Sequence, residues 1–258
     1  MMGSWIEWEE IVSSKIFAAT LALMVSTIAS AAEIKVLSTQ ATEQSYRELI
    51  PQFEQTSGHK VTTLFTGTLD VDKRLAAGEA YDLIIMASPQ IDAHIKDGSL
   101  VAGSRVDLAK SGVAVGVKKG APKPDIRSTD ALKKTILAAK SIGYSTGPSG
   151  NYVMSLFQRL GVLDQIRPKL KQTPTGVFVG SIIANGDVEI GFQQVSELGN
   201  YPGVDYVGPL PADVQNYTTF SSGIAAKSQQ AEAAKALTRF LASPAAAPTF
   251  RKNGMEPG

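Results

Sequence analysis

From Ile34 to Met86 the chain repeats one order: a short apolar run, a polar loop, then a segment with helical periodicity. The apolar runs are Ile34–Leu37, Val61–Phe65 and Tyr81–Met86. Between them, residues 43–55 set Tyr46, Leu49, Ile50 and Phe53 on one helical face, and a second helix is expected from about Leu69 to Ala77, stopped by Gly78. Strands joined through helices run parallel, because a tight hairpin can only join antiparallel neighbours. The third run is apolar at nearly every position, as a strand covered on both faces requires. An α/β fold built on a parallel sheet follows, with Pro51 expected to kink the first helix.

The same order continues to the C-terminus. Helices are expected at residues 90–97 and 130–139, with a strand at 112–117 between them. Ser141–Tyr144 then ends as a strand, Ser145 to Gly150 form a tight loop, and a helix opens near Asn151 and closes at Gly161. A connecting helix is expected at 163–170, and the loop Thr173–Gly176 opens a helix at 177–184. A strand at 188–192 leaves through Gln193 and Gln194. Strands at 204–207 and 217–226 and helices at 230–242 and 243–250 complete the chain. With 258 residues, 43% of them hydrophobic, there is material for two α/β lobes of roughly 100 residues each. The expected division places residues 32–112 and 209–258 in lobe 1 and residues 113–208 in lobe 2.

Residues 1–31 read as an export signal. Lys15 precedes the apolar run Ile16–Ile28, and Ala29-Ser30-Ala31 supplies a small-x-small cleavage site, so the mature chain starts near Ala32 in the periplasm. The run falls short of the roughly 20 apolar residues that span a bilayer. Glu7, Glu9 and Glu10 are acidic where a signal is basic, and the expected translation start is therefore Val12, leaving residues 1–11 untranslated.

Five loops open helices without an internal charge: Ser38–Thr42, Thr66–Leu69, Thr146–Asn151, Gln193–Val195 and Thr173–Gly176. Each alone is an ordinary helix cap. In open α/β sheets, however, ligands bind beyond the carboxyl ends of the strands, where four of these loops must lie. Helix N-termini there present unpaired N–H groups and the positive end of the dipole, which suits an anion. Other functions lack material. The balance of 25 basic and 24 acidic residues gives nucleic acid no electrostatic footprint, and zero cysteines exclude thiolate chemistry and disulfides. Only His59 and His94 are present, too few for a His-rich metal site, and neither a Walker A nor a G-x-G-x-x-G fingerprint calls for a cofactor. Asp70 and Asp72 read as charge complementing a helix start.

The mature chain resembles the periplasmic molybdate-binding proteins of ABC importers. The resemblance rests on EIKVLST at 33–39, FTGTLDVDKRLAAGEAYDLIIMAS at 65–88, YSTGPSGNY at 144–152, GDVEIGFQQVSEL at 186–198 and the C-terminal FRKNGMEPG. It implies a two-lobed, type II periplasmic-binding-protein-like fold with a ligand cleft between lobes. It also implies closure about a hinge, docking on a membrane permease, a monomer, no metal, and no enzymatic activity. Carried over by residue, the family's ligand donors fall on Thr68, Ser149 and Thr175. Two positions depart from its pattern. The first-loop serine falls near Ala41, leaving Ser38, Thr39 or Thr42 as substitutes, and the site tyrosine falls near Gln194, whose amide brings both a donor and an acceptor. The first expectation is molybdate or a similar tetrahedral oxyanion; the alternative is a small organic anion such as a di- or tricarboxylate. A secreted hydrolase using Ser149 is a further alternative, one for which the sequence offers no base.

Overall fold

The computed structural model describes residues 31–258. The leader segment Ile16–Ile28, the Val12 start and the residues before it lie outside the described residues. In chain order the elements are β1 (Glu33–Thr39), α1 (Glu43–Ser57), β2 (Lys60–Thr66), α2 (Thr68–Ala76), β3 (Leu83–Ala87), α3 (Ser88–Lys96), β4 (Val106–Lys118), α4 (Thr129–Ala138) and β5 (Ile142–Tyr144). They continue as α5 (Pro148–Arg159), α6 (Leu163–Ile166), β6 (Leu170–Gln172), α7 (Val179–Asn185), β7 (Ile190–Gln194), α8 (Val195–Leu198), β8 (Val204–Pro209), β9 (Tyr217–Ile224), α9 (Ala231–Leu241), α10 (Ala247–Lys252) and β10 (Glu256–Pro257).

The fold is mixed α/β and two-lobed. The strands run in the order β2-β1-β3-β9-β4-β7-β5-β6, with β10 and β8 adding to β4. β1 is parallel to β2 and β3, and β5 is parallel to β6 and β7, as strand–helix–strand connections demand. The strands that join the halves, β9 and β4, are antiparallel to their neighbours. In β3 the alternation puts Leu83 and Ile85 into one apolar cluster and Ile84 and Met86 into another, so the strand is buried on both faces. The other half packs Phe157 and Phe192 edge to face at 5.4 Å, inside a cluster that includes Val115 and Ile190.

Several element limits differ from the sequence reading, each for a physical reason. Ser38 and Thr39 extend β1, because β2 pairs with its full length to Thr39 and β3 with Val36 to Ser38, and only Gln40–Thr42 make a single 3₁₀ turn. α1 runs through Pro51 without a break and ends at Gly58, whose φ of 74° stops it. The helix expected over 163–170 ends at Ile166, and Leu170–Gln172 pair with β5 instead. β4 begins at Val106 rather than at Gly112. Its charged early residues hid it, yet each finds a partner: Asp107 accepts from Ser221 Oγ at 2.6 Å, and Lys110 Nζ meets Glu256 at 3.0 Å.

β4 connects the halves. Its first part pairs with β9 as far as Gly112 opposite Tyr217, and from Val113 onward it pairs with β7 and β8. Peptide groups at that switch cannot all stay in one ladder, and two glutamine side chains meet them. Gln215 accepts from the Val113 N–H at 2.8 Å and donates to the Val113 carbonyl at 3.0 Å. The Gln194 amide, turned so that both of its ends are satisfied, donates to the carbonyls of Ser111 (2.9 Å) and Gly112 (3.1 Å) and accepts from Thr218 Oγ1 (2.9 Å). Gln215→Ala would leave the Val113 N–H without this acceptor and its carbonyl with only the Leu210 N–H. It is expected to lower unfolding stability by about 1–3 kcal/mol, read as a lower urea midpoint at unchanged slope; an unchanged midpoint would contradict the assignment.

Candidate functional site

The ends of β1, β2, β5 and β7 and the loop before α7 meet at one cleft. Its walls are Thr39, Gln40 and Ala41 after β1, Thr66 to Thr68 after β2, Ser145 to Ser149 after β5, and Gln193, Gln194 and Glu197 at the end of β7, with Gly176 and Val177 closing it. The space is about 430 Å³ with its open mouth included. Its enclosed part has room for roughly three water molecules. All five loops singled out from the sequence therefore contribute to one concavity.

The nominated residues divide. Thr39, Thr68, Ser149 and Gln194 line the cleft, whereas Ser38, Thr42 and Thr175 do not. Ser38 Oγ and Thr42 Oγ1, expected as stand-ins for the missing serine, lie 3.1 Å apart and bond each other. Thr39 is different: it is buried and its Oγ1 has no partner, so an acceptor placed in the cleft would satisfy it. Thr175 sits where the halves touch. A Cβ on Gly67 would collide with Thr175 Oγ1 and Gly176 N, so the close approach requires glycine there. Gln40 Nε2 adds a bond across the same seam, to the Gly176 carbonyl at 3.0 Å. Gln194 reaches the wall, but its amide bonds the β4 switch through both its donor and its acceptor.

Two helix starts face the cleft. α2 is capped by Gly67 and its first internal bond comes from Asp70 N, leaving the amides of Thr68 and Leu69 without helical partners. α5 begins at Pro148, which has no N–H to lose, and its first internal bond comes from Asn151 N, leaving those of Ser149 and Gly150. The positive ends of both dipoles thus point at one space that no Lys or Arg of the described residues lines. Ser149 Oγ lies 3.2 Å from Ser145 Oγ, so its neighbour is a second hydroxyl rather than a base. His59 accepts from Ala32 N and His94 pairs with Asp72 at 2.9 Å, both away from the cleft. Among the described residues no cluster of three His, Cys, Asp or Glu could hold a metal.

Among the described residues the one charged residue in the wall is Glu197, which the sequence reading passed over. It lies just past a loop chosen for being free of charge. Three residues beyond the helix cap Gln194, it occupies the place from which a glutamate reaches back to the capping N–H, and that spacing was its only sequence signal. Burial pushes its carboxyl up to about 7. The Gln194 N–H and the Gln193 amide, at 3.0 Å, oppose the rise, while the charge of Glu43 adds to it. Gln193 is itself fixed by the Val179 N–H at 2.8 Å.

A family model for bacterial extracellular solute-binding proteins matches residues 34–256. An aconitate isomerase from a Pseudomonas species is 36% identical over 230 residues, covering 87% of each chain. The molybdate-binding protein ModA of Azotobacter vinelandii is 25% identical over 247 residues, covering 93% of this chain and 96% of its own. The solved structure of the periplasmic molybdate-binding protein from that organism superposes with a TM-score of 0.73 at 18% identity, over 86% of this chain and 98% of that one. The sulfate-binding protein SubI of Mycobacterium tuberculosis superposes with a TM-score of 0.72 at 19% identity, over 88% and 87%.

Glu197 makes stability depend on pH with a definite sign. Its folded-state affinity for a proton exceeds that of an unfolded glutamate near 4.3, so its contribution is complete at low pH and is lost as pH rises through about 7. The loss is about 3 kcal/mol. Urea unfolding at pH 4.5 to 7.5 is expected to show that decline in the native chain and a flatter profile in Glu197→Gln; equal slopes would contradict the assignment.

Proposed function

Because the chain belongs to the bacterial extracellular solute-binding protein family, we propose that it captures a small organic anion, a di- or tricarboxylate, in the cleft between its lobes. The bound anion is handed to the membrane permease of an ABC importer. Residues 32–112 with 209–258 act as one lobe and residues 113–208 as the other, and a monomer in the periplasm is the working unit. The observation that carries this reading is the set of donors on one cleft: the unpartnered Thr39 hydroxyl and the starts of α2 and α5. Fixed dipoles of this kind replace the hydration of an anion without a buried cation.

With Gln194 engaged at the β4 switch and Ala41 in place of a hydroxyl, the cradle has fewer donors than the tetrahedral oxyanion sites that the resemblance implies, which favours a carboxylate over molybdate. The 36% identical relative acts, by its name, on aconitate, which is an organic acid of this class.

A second reading follows from Glu197. A carboxyl that exchanges its proton near pH 7 is suited to general acid–base work. It could remove a proton from the carbon next to a carboxylate of an unsaturated acid and return one to the far end of the double bond. The name of that relative favours such an isomerisation. Incubation with cis- or trans-aconitate, followed by chromatography, separates the readings: catalysis requires interconversion that Glu197→Gln abolishes while binding persists.

The binding reading is tested by thermal unfolding of residues 32–258 with molybdate, tungstate, sulfate, phosphate, citrate and aconitate. A ligand at a hundred times its Kd stabilises the folded state by about 2.7 kcal/mol. Carboxylates are expected to raise the unfolding temperature, and Thr68→Ala to weaken that binding by about 1–3 kcal/mol. A shift with molybdate and tungstate alone would return the ligand to a tetrahedral oxyanion, and undiminished affinity in Thr68→Ala would remove Thr68 from the site.

A further inference from the structure

A second chamber adjoins the cleft. It encloses about 550 Å³ with its mouth included and is walled on one side by Gln40, Glu43, Gln44 and Arg47, and on the other by Phe178, Ser196, Glu197, Tyr201 and Pro202. Gln40 and Glu197 line both spaces and form the partition between them. The first chamber, with room for only a few waters, is lined by neutral donors apart from Glu197; the second is the larger and contains a cation.

Three features make the second chamber a built site rather than a gap. Ser196 is 5% exposed and its Oγ has no partner, so this chamber, like the first with Thr39, holds a buried hydroxyl in want of an acceptor. Its aromatic wall is fixed: Tyr201 lies over Gly180, where any Cβ would strike its ring, and it packs on Phe178 at 5.6 Å. Arg47 is held in place, with Nε and Nη2 on Glu43 Oε1 at 2.8 and 2.7 Å and the guanidinium 4.9 Å over the Phe65 ring. Its Nη1 has no hydrogen-bond partner among the described residues and remains available to an anion.

The geometry points to a ligand with two anionic heads, one cradled by Thr39, Thr68 and Ser149 and the other held by Arg47 and Ser196, with its middle passing between Gln40 and Glu197. The inference rests on the proposed capture of a small anion in the first chamber and narrows its ligand to a polycarboxylate long enough to reach the second. A compact tetrahedral oxyanion fills only the first chamber and leaves the Ser196 hydroxyl unmet. A linear diacid of sufficient length, or a branched tricarboxylate, meets both hydroxyls and pairs its second charge with Arg47, the only arginine among the described residues that lines either space.

Titration calorimetry of residues 32–258 with acetate, malonate, succinate, glutarate, citrate and sulfate tests this, on the native chain and on Arg47→Gln and Ser196→Ala. Arg47 is exposed and Ser196→Ala removes one atom, so both variants are expected to fold. Polycarboxylate affinity should fall about tenfold or more in Arg47→Gln, as the loss of a charge-assisted bond implies, and less in Ser196→Ala. Whatever affinity acetate or sulfate has should be the same in all three proteins. Polycarboxylate affinity undiminished in both variants would overturn the two-chamber site while leaving capture in the first chamber intact. Failure of every anion to bind the native chain would overturn both.

Discussion

The two lobes depend on one strand being hydrogen-bonded in two sheets in succession. β4 serves β9 up to Gly112 and β7 with β8 from Val113, and a strand cannot change partners without leaving peptide groups in need of others. Gln215 and Gln194 supply them from the two sides of the switch. The arrangement lets the halves meet at an edge instead of fusing into one flat sheet. That edge lies at the carboxyl ends of β1, β2, β5 and β7, where the cleft forms. Gln194 therefore belongs equally to the connection between the lobes and to the wall of the site, and its amide cannot serve a ligand without disturbing the connection.

The electrostatics of the cleft follow from which charges are kept out of it. A buried cation would bind any anion strongly and would itself need a partner whenever the site is empty. Hydroxyls and helix-start amides carry partial charges that are fixed by the fold and tolerate both states. Glu197 is the exception in the wall, and burial raises its carboxyl so that it gains its charge only as pH rises through about 7. Arg47 stands one chamber further out, neutralised by Glu43, where it can take a second charge without burying its own.

The fold was legible in the sequence because its signal is periodic. Helix-spaced Tyr46, Leu49 and Phe53 and the doubly buried Leu83–Ala87 both read directly from polarity, as did the strand–helix alternation of each half. The early part of β4 did not, since Asp107 and Lys110 are paired by residues more than a hundred positions away. The concavity was legible too: five uncharged loops at helix starts became its five walls. Side-chain direction was not. Ser38 and Thr42 turned to each other, Gln194 turned to β4, and Glu197 entered the wall from a position just past an uncharged loop. Composition and spacing report which groups are near a site, while their hydrogen-bond partners are settled only by tertiary packing.

The central claim is that an anion is held by both halves at once, and that this requires their contact at Gly67 with Thr175 and Gly176. The most direct test is the calorimetric affinity of Gly67→Val for the anion that best stabilises the native chain. A side chain there collides with the facing loop and holds the halves apart, so the account predicts loss of measurable binding in a protein that still unfolds cooperatively. Native affinity in that variant would contradict it.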